Sequence, residues 1–407
     1  MHLFFPENME ITNLQEFNNN LKFKNFRIEP FSNKITNFFN RLSSFIFRNK
    51  KMAKIPEISA FAFWIRKANI NNLLSNVVFS ENQVPVPRGI VFHVAPSNVD
   101  FMFLYSWFLS VLAGNFNILR ISSEYHKEVV ELIDLIRNFA EQSNEEWFLK
   151  SNLVLTYQHN DEINEYFSSI SDCRIFWGGD ETIIRMRKFT AKPTVKDIYF
   201  SDKFSYAVIN SVEYLKLNQI ERKKIAEKFY NDSFLFNQKA CSSPSIVFFS
   251  GEEGENVNAT KYFWDLLAEV SEKKQLEKSP SIKMQHFLNW SILATKWNVD
   301  DFSDNSEFFT VVHLNVEDID ADYRTCGGGF FIESYIGKLS DLIDFGGKSD
   351  QTLIYYGFEK EELKSYINNK GNRANLRIVK IGEALNFDVI WDGYNLLYEL
   401  VKIINVV

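Results

Sequence analysis

Residues 89–98 read GIVFHVAPSN, and this stretch predicts the class of fold. A largely apolar run from Ile90 to Val94 has the length of a buried strand. The polar residues Ser97 and Asn98 follow it, and both are residue types that begin helices. An apolar segment from about Asp100 to Ala113 then has the length of a buried helix. The stretch therefore predicts the first strand and first helix of an α/β sheet.

The same alternation of strands and helices continues toward the C-terminus. In the first half of the chain, further strands are predicted at 117–121, 153–157 and 174–177, with helices ending near 142, at 161–169 and at 180–189. In the second half, strands are predicted at 207–209, 245–249, 309–314 and 330–335, helices at 212–230, 259–270 and 282–296, and a strand–helix pair within 353–367. This alternation predicts parallel sheets, whose ligands lie at the carboxyl ends of the strands.

The length of 407 residues predicts two or three domains, at about 100–200 residues per domain. We expect a peripheral helical segment at 1–60, because that stretch shows only weak helical periodicity. A parallel-sheet domain is expected at 61–210 and a second α/β domain at 211–385. The boundary near 210 is placed where the composition changes to a helix rich in Lys and Glu. The C-terminal segment, 386–407, is expected to return to the first domain or to form an oligomer interface.

The formal net charge is -7, with 45 Lys and Arg residues against 52 Asp and Glu residues. A dedicated nucleic-acid binder presents a basic face, so that class is excluded. The first residues lack the basic start and apolar run of a secretory signal, and the longest apolar stretch, 101–114, is shorter than the ~20 residues of a membrane span. The three cysteines show no metal-binding spacing. We therefore expect a cytoplasmic protein with no membrane span, no bound metal and no nucleic-acid partner.

Cys241 is the first candidate for chemistry. Cysteine is usually a buried, unreactive residue, and this alternative stays open for all three thiols. Cys241, however, follows Asn237 and Gln238 and precedes a predicted strand, which places it on a polar turn. A thiol on such a turn can be accessible and close to backbone N–H groups that stabilise a thiolate. Cys173 and Cys326 lack these surroundings.

Other polar residues have two interpretations each. Asn98 follows a strand and starts a helix, so it is either a helix cap or an amide donor to a developing oxyanion. Gly178 and Gly179 lie between a strand and a helix, where they either form an ordinary turn or let a dinucleotide pyrophosphate approach the helix N-terminus. No GxGxxG motif accompanies them. The histidines form no triad or metal pattern, which argues against Ser-His-Asp and zinc hydrolases.

Five segments together resemble one family. They are GIVFHVAPSN at 89–98, AGNFNILR at 113–120, FWGGD at 176–180, QKACSSP at 238–244 and WDGY at 391–394. These segments resemble the acyl-CoA reductase of the bacterial bioluminescence fatty-acid reductase complex, a divergent branch of the aldehyde dehydrogenase superfamily. The resemblance runs in order from about residue 60 to the C-terminus, and the cysteine and Gly-Gly-Asp segments are its most specific parts.

The resemblance implies an aldehyde dehydrogenase-like α/β fold. A parallel-sheet nicotinamide cofactor domain at 61–210 and an α/β catalytic domain at 211–385 are implied, with a homo-oligomer as the assembly. By position, Cys241 matches the nucleophile and Asn98 matches the oxyanion-hole asparagine. The residues that match the cofactor site are Arg120 and Ser122 near the adenosine ribose, Gly178 and Gly179 near the pyrophosphate, and Phe330 near the nicotinamide ribose.

One departure from the superfamily concerns the general base. Ordinary aldehyde dehydrogenases carry a glutamate in a Glu-Leu-Gly-Gly segment, and the corresponding stretch here is IYFSDK at 198–203, with Tyr199 at the matching place. A hydrolytic enzyme needs this base to activate water against the acyl intermediate. Its absence favours acyl reduction over aldehyde oxidation.

The sequence therefore predicts reduction of an acyl-CoA, or another acyl thioester, to a fatty aldehyde through a thioester on Cys241, with NADPH as the cofactor. NADPH is preferred to NADH because Arg120 can pair with a 2′-phosphate. A protein that activates or transfers the acyl group is a further expected partner. Two alternatives stay open: an acyltransferase that uses Cys241 without a nicotinamide, and a non-catalytic scaffold that retains the fold.

Overall fold

A computed structural model describes residues 1–11, 14, 28–96, 101–297, 299, 307–319, 325–347, 349–373 and 377–407. The chain forms two units. Unit 1 contains Met1–Ser201 and Phe387–Val407, and unit 2 contains Asp202–Asn386. Among the described residues, no helix is both long enough and apolar enough to cross a bilayer.

Unit 1 is built on a seven-stranded sheet in the order β2-β1-β6-β5-β4-β7-β8. Its strands are β1 (His2–Phe5), β2 (Met9–Glu10), β4 (Ile90–Val94), β5 (Phe116–Arg120), β6 (Asn152–Thr156), β7 (Cys173–Trp177) and β8 (Lys196–Phe200). Five neighbouring strands of this sheet, β6, β5, β4, β7 and β8, are parallel to one another. Strand β1 pairs with β6 in the antiparallel direction. From β4 the chain adds β5 and β6 on one side of the sheet and then β7 and β8 on the other side, so the strand order reverses at β4.

Helices cover both faces of this sheet because their apolar side chains are buried against it. The helices among the described residues of unit 1 are Asn33–Arg48, Pro56–Trp64, Lys67–Ser75, Phe103–Leu112, Lys127–Gln142, Glu146–Lys150, Asp161–Ile170, Asp180–Arg187 and Leu396–Glu399. Every residue of the helix Phe103–Leu112 is buried, as expected for a sequence with almost no polar side chain. Lys127–Gln142 instead buries one apolar stripe, including Leu132, Ile136 and Phe139.

Two small antiparallel ribbons complete unit 1. Strand β3 (Gln83–Pro87) pairs with β17 (Val401–Asn405) near the C-terminus. The other ribbon joins β15 (Ile390–Trp391) to β16 (Tyr394–Asn395). The C-terminal segment, Phe387–Val407, thus belongs to the same unit as the first parallel sheet.

Unit 2 is built on a six-stranded, wholly parallel sheet in the order β11-β12-β10-β9-β13-β14. Its strands are β9 (Phe204–Asn210), β10 (Pro244–Ser250), β11 (Thr310–His313), β12 (Phe330–Ile336), β13 (Asp350–Tyr356) and β14 (Arg377–Lys380). Its α-helices are Ser211–Leu215, Gln219–Phe234, Glu253–Lys273, Pro280–Lys296 and Lys360–Lys370. Two apolar clusters cover the two faces of this sheet, so its strands are buried on both sides.

The structure differs from the expected organisation at two places. Among residues 1–60, the described parts are not peripheral, because the strand β1 pairs with β6 and the helix Asn33–Arg48 buries Phe38, Leu42 and Ile46 in the core. The division between the units falls after Ser201 rather than near 210. Strand β9 belongs to unit 2 because both of its neighbours, β10 and β13, lie there.

His93 lies in the middle of β4 and is 1% exposed. Its Nε2 atom is 3.1 Å from the amide oxygen of Asn117, and its Nδ1 atom is 3.2 Å from the hydroxyl of Ser106. An amide oxygen only accepts, so Nε2 donates the proton to it, and in the neutral ring Nδ1 then accepts from the Ser106 hydroxyl. This arrangement suits the neutral ring, and burial lowers the pKa of His93 from 6.5 to about 4.

We predict that this histidine makes stability depend on pH. Between about pH 6.5 and pH 4 the imidazole of His93 binds a proton in the unfolded state but stays neutral in the folded state. The free energy of unfolding therefore falls as the pH falls, by up to about 3 kcal/mol. Urea unfolding across this range should show a shallower pH dependence in His93→Gln than in wild type. The exposed His159 provides a control, since His159→Gln should retain the wild-type slope. Equal slopes in all three proteins would contradict the prediction.

Candidate active site

Cys241 lies on the turn that connects the helix Gln219–Phe234 to β10, called here the Cys241 turn (residues 237–244). Asn237 and Gln238 have φ angles of 49° and 60°, in the left-handed region that reverses the chain direction after the helix. The Cys241 side chain is partly exposed. A partly exposed thiol at the start of a buried strand is accessible to a substrate while its main chain is held by the sheet.

The side chain of Gln238 fixes one end of the Cys241 turn. Its Nε2 atom donates to the carbonyl oxygens of Pro244, at 2.8 Å, and of Phe330, at 3.2 Å. Its Oε1 atom accepts the N–H of Gly329 at 2.9 Å. These partners leave a single consistent orientation of the amide, and Gln238 is only 8% exposed. The turn is thereby tied to the start of β12.

Ser205 holds the main chain of Cys241 itself. Its Oγ atom donates to the carbonyl oxygen of Cys241 at 2.6 Å and accepts the N–H of Thr352 at 3.1 Å. A second hydroxyl, that of Ser243, donates to the carbonyl oxygen of Asp232 at 2.7 Å. Cys241 therefore lies on a turn whose main chain is held from β9 and from the preceding helix.

The other two cysteines have different environments. Cys173, on β7, is fully buried, and burial raises the pKa of its thiol to about 12. Cys326 precedes Gly327, and burial raises the pKa of its thiol to about 11. Both thiols are therefore protonated at neutral pH, and a protonated thiol is a poor nucleophile.

Asn98, the predicted oxyanion donor, lies outside the described residues. The residues before it are described as far as Pro96. The N–H of Ala95 donates to the carbonyl of Arg120 at 3.0 Å, which extends the pairing of β4 with β5 toward this segment.

Arg120 and Ser122 lie at the carboxyl end of β5. The guanidinium of Arg120 donates to the carbonyl oxygen of Tyr157 at 3.4 Å and lies 5.4 Å from the centre of its ring. Burial lowers the pKa of Arg120, although an arginine remains charged at neutral pH. The hydroxyl of Ser122 accepts the N–H of Glu124 at 3.1 Å.

Gly178 and Gly179 lie at the carboxyl end of β7. The N–H of Gly178 donates to the carbonyl of Phe200 at 3.1 Å, and Gly179 is the N-cap of the helix Asp180–Arg187. Both glycines are partly exposed. The first turn of the helix contains Asp180 and Glu181, so attraction of an anion there depends on the backbone N–H groups rather than on side-chain charge.

The predicted cofactor residues of unit 1 lie at the carboxyl edge of the parallel strands β5 and β7, on either side of β4. The strand order reverses at β4, and ligands of open α/β sheets bind in the crevice at such a point. A guanidinium, a hydroxyl and a helix N-terminus are donors that suit the phosphates and ribose of a dinucleotide. The residues present therefore fit a nicotinamide dinucleotide. Among the described residues, no cluster of His, Cys, Asp and Glu could hold a metal ion.

Phe330 begins β12 and is fully buried. Its carbonyl oxygen accepts from Gln238, and its ring lies edge-on to the ring of His286 at a centroid distance of 5.5 Å. The structure thus connects Phe330 to the Cys241 turn through its main chain. The contact of Phe330 with the nicotinamide ribose stays a prediction.

Tyr199, at the place that matches the superfamily's general base, donates a hydrogen bond from its hydroxyl to Asp197. Asp197 also makes a bidentate ion pair with Arg174, with both N···O distances at 2.7 Å. Burial and the hydrogen bond to Asp197 raise the pKa of Tyr199 to about 12. Tyr199 is therefore a poor base at neutral pH.

Glu333, on β12, is a carboxylate that could serve as a base in place of Tyr199. Its Oε2 atom accepts the indole N–H of Trp264 at 2.6 Å, and its Oε1 atom lies 3.2 Å from Nδ1 of His313. Glu333 is 8% exposed. These contacts give the carboxylate a structural role inside unit 2.

The site residue that sequence reasoning missed is Ser205. Its only signal is a serine within an otherwise apolar strand, and Cys241, its partner, lies 36 positions further along the chain. Gln238 was noticed only as part of the polar surroundings of Cys241. The three hydrogen bonds of its side chain depend on where β12 lies, which local sequence does not reveal.

Comparison with known families gives one match over most of the chain. The profile of the acyl-CoA reductase (LuxC) family matches residues 17–287, a range that includes Cys241, Asn98, Arg120 and Gly178–Gly179. No curated protein matches this chain at a significant level.

Solved structures of similar fold are aldehyde dehydrogenases. A variant of an aldehyde dehydrogenase from Bacillus cereus has a TM-score of 0.66 at 11% identity, covering 100% of this chain and 96% of that chain. A 1-pyrroline-5-carboxylate dehydrogenase from Thermus with bound NAD has a TM-score of 0.67 at 11% identity, covering 99% and 89%. The glyceraldehyde-3-phosphate dehydrogenase GapN from Methanocaldococcus jannaschii, complexed with NADP, has a TM-score of 0.65 at 13% identity, covering 98% and 95%. At these identities the similarity establishes the fold.

Proposed function

This chain belongs to the acyl-CoA reductase (LuxC) family and is an oxidoreductase with an aldehyde dehydrogenase-like fold, and on that premise we propose that it reduces an acyl-CoA, or another acyl thioester, to the aldehyde through a thioester on Cys241 with NADPH. The observation that supports this proposal best is the position of Cys241, a partly exposed residue on a turn whose main chain Ser205 and Gln238 hold. Burial raises the pKa of the Cys173 and Cys326 thiols, which disfavours both as nucleophiles.

In the first half of the reaction, the Cys241 thiolate attacks the acyl carbonyl carbon and a new C–S bond forms. The carbonyl oxygen becomes an oxyanion, which the Cys241 backbone N–H and the Asn98 side-chain amide stabilise. The oxyanion then collapses, the C–S bond to coenzyme A breaks, and the CoA thiolate leaves and takes up a proton. The product is an acyl-enzyme on Cys241.

In the second half, the carbonyl carbon of the acyl-enzyme accepts a hydride and becomes a thiohemiacetal. Its C–S bond to Cys241 then breaks, which releases the aldehyde and the Cys241 thiolate. A bound nicotinamide supplies the hydride for this reduction. Arg120, Ser122 and the Gly178–Gly179 turn hold the dinucleotide in unit 1. NADPH is favoured because the partly buried Arg120 guanidinium can pair with a 2′-phosphate. The similar Thermus and Methanocaldococcus structures contain NAD and NADP, respectively.

The acyl-enzyme should hydrolyse slowly when no reductant is present. The raised pKa of Tyr199 and the engagement of Glu333 with Trp264 leave neither residue suited to activate water. We therefore predict that single-turnover mixing with acyl-CoA releases little acid, and that Tyr199→Glu accelerates acid release. The conservative variant Tyr199→Phe is the control and should release acid as slowly as wild type. Rapid acid release by wild type would show that another base, such as Asp202, activates water.

The test of the proposed function is NADPH oxidation, followed by absorbance, across acyl-CoA substrates of increasing chain length. We expect NADPH loss and aldehyde formation in a 1:1 ratio. A fluorescence titration with NADPH distinguishes the other two functions, because neither an acyltransferase nor a non-catalytic scaffold requires NADPH binding. Acyl transfer without NADPH binding would replace the proposal with the acyltransferase.

We also propose a homo-oligomer and a cytoplasmic location, where a reducing environment keeps Cys241 as a thiol. The ribbon formed by β3 and β17 supports an oligomer because it exposes apolar side chains, including Ile403 at 44% and Ile404 at 49%. A protein that activates or transfers acyl groups is the proposed source of the substrate.

A further inference from the structure

We propose that Ser205 is a positioning residue that aligns Cys241 for acylation; this inference rests on the proposed function. Ser205 lies on β9, the strand between β10 and β13, and is 1% exposed. It therefore acts only through protein atoms. Its two hydrogen bonds, to the Cys241 carbonyl at 2.6 Å and from the Thr352 N–H at 3.1 Å, connect the nucleophile to two strands at once.

The pairing of β9 is irregular on both sides of Ser205. Along β10, Pro244 and Ile246 pair with Ser205 and Tyr206, so β10 has one extra residue at this point. Strand β13 has an extra residue at the same level, between Asp350 and Leu353. Such bulges occur next to active sites, where they redirect a side chain and interrupt the ladder of main-chain hydrogen bonds.

The hydroxyl of Ser205 bonds to main-chain groups next to both irregularities. It donates to the carbonyl of Cys241, on the turn before β10, and accepts from the N–H of Thr352, which lies within the irregular part of β13. A hydroxyl can do both because it has one donor and two acceptor positions. Alanine at this position can do neither, and both main-chain groups lose this partner.

The Cys241 carbonyl is part of the peptide group that follows the nucleophile, so its hydrogen bond restricts the rotation of the Cys241 backbone. The Cα–Cβ bond, and with it the direction of Sγ, follows that backbone. Gln238 already holds the Pro244 and Phe330 carbonyls, but neither of these bonds involves Cys241 directly. Acylation requires Sγ and the oxyanion donor to be aligned together, and a displacement of about 1 Å can cost ~10²-fold in rate.

A matched control in the same unit distinguishes the positioning role of Ser205 from a purely structural one. Ser211 is also buried, and its Oγ atom donates to the Asn256 side chain at 2.7 Å. Ser211→Ala therefore removes one buried hydroxyl and its hydrogen bond without touching the Cys241 turn. If the loss of a buried hydroxyl by itself slowed acylation, both alanine variants should be slowed.

The experiment measures labelling of the Cys241 peptide by mass spectrometry in the full-length protein, with labelled acyl-CoA and, separately, with iodoacetamide. We expect Ser205→Ala to be acylated ~10-fold or more slowly than wild type, with the acyl-CoA concentration for half-maximal rate changed less than ~2-fold. Alkylation by iodoacetamide, a small reagent that needs no oxyanion donor, should change less than ~3-fold. Ser205→Thr, which retains the hydroxyl, should recover most of the acylation rate, and Ser211→Ala should match wild type.

Acylation of Ser205→Ala at the wild-type rate would overturn the positioning role while leaving the proposed function intact. An equal loss in Ser211→Ala would overturn it as well, because the effect would then be one of stability. Absence of any label on Cys241 in wild type would overturn the proposed function itself. If Ser205→Ala melts below the assay temperature, Ser205→Cys, whose thiol is a weak donor, is measured instead against the same expected and contradicting results.

Discussion

Cys241→Ala should leave the protein folded and abolish the acyl-enzyme. The substitution removes one sulfur atom from a partly exposed residue, and the hydrogen bond from Ser205 goes to the main chain, which alanine retains. We therefore expect a melting temperature within a few degrees of wild type. Turnover should fall to background, because the reaction loses the atom that forms the covalent bond.

Neither remaining cysteine is expected to replace Cys241. Cys173 has no exposed surface, and burial raises the pKa values of both the Cys173 and Cys326 thiols. Incubation with labelled acyl-CoA, without NADPH, should label only the peptide that contains Cys241. Cys326→Ala is the matched control and should label as wild type does. Label on Cys173 or Cys326, or undiminished acyl transfer by Cys241→Ala, would disprove the assignment.

Asn98→Ala should reduce turnover by ~10²–10³-fold if its amide donates to the oxyanion. A donor aimed at the transition state affects the rate of acylation and leaves the folded state almost unchanged. A helix cap has the opposite signature, because its loss costs about 1 kcal/mol of stability and leaves turnover intact. The measurement therefore combines single-turnover acylation with thermal unfolding.

The structure provides a matched control for the capping alternative. Asn160 is the N-cap of the helix Asp161–Ile170 in unit 1, and its side-chain oxygen accepts the N–H of Ile163 at 3.0 Å. Asn160→Ala should lower stability and leave turnover unchanged. If Asn98→Ala shows the same behaviour as Asn160→Ala, then Asn98 is a cap and the oxyanion depends on other donors.

Much of the fold is encoded in local patterns. The helix Lys127–Gln142 ends where its apolar periodicity predicted, and the strand Cys173–Trp177, which is apolar apart from Arg174, stops at a glycine pair. Each pattern depends on residues a few positions apart, because helical and strand periodicities are local. The resemblance in sequence segments likewise predicted the family that the profile match establishes. The location of Cys241 on a turn before a strand was also visible, since turn and strand residues are adjacent there.

The tertiary structure alone determined which distant segments meet. Strand β1 belongs to the first sheet because it pairs with β6, about 150 positions away, and its short sequence has no signal for that partner. Strand β9 belongs to unit 2 for the same reason, which places the division after Ser201. The hydrogen bonds that Ser205 and Gln238 make around Cys241 also join separate strands, and they depend on bulges and register. By itself, the sequence predicted many strands and helices of the two parallel sheets and the candidate nucleophile. Strand pairing determined what holds that nucleophile, because the Ser205 and Gln238 side chains reach their partners only once the strands have paired in register.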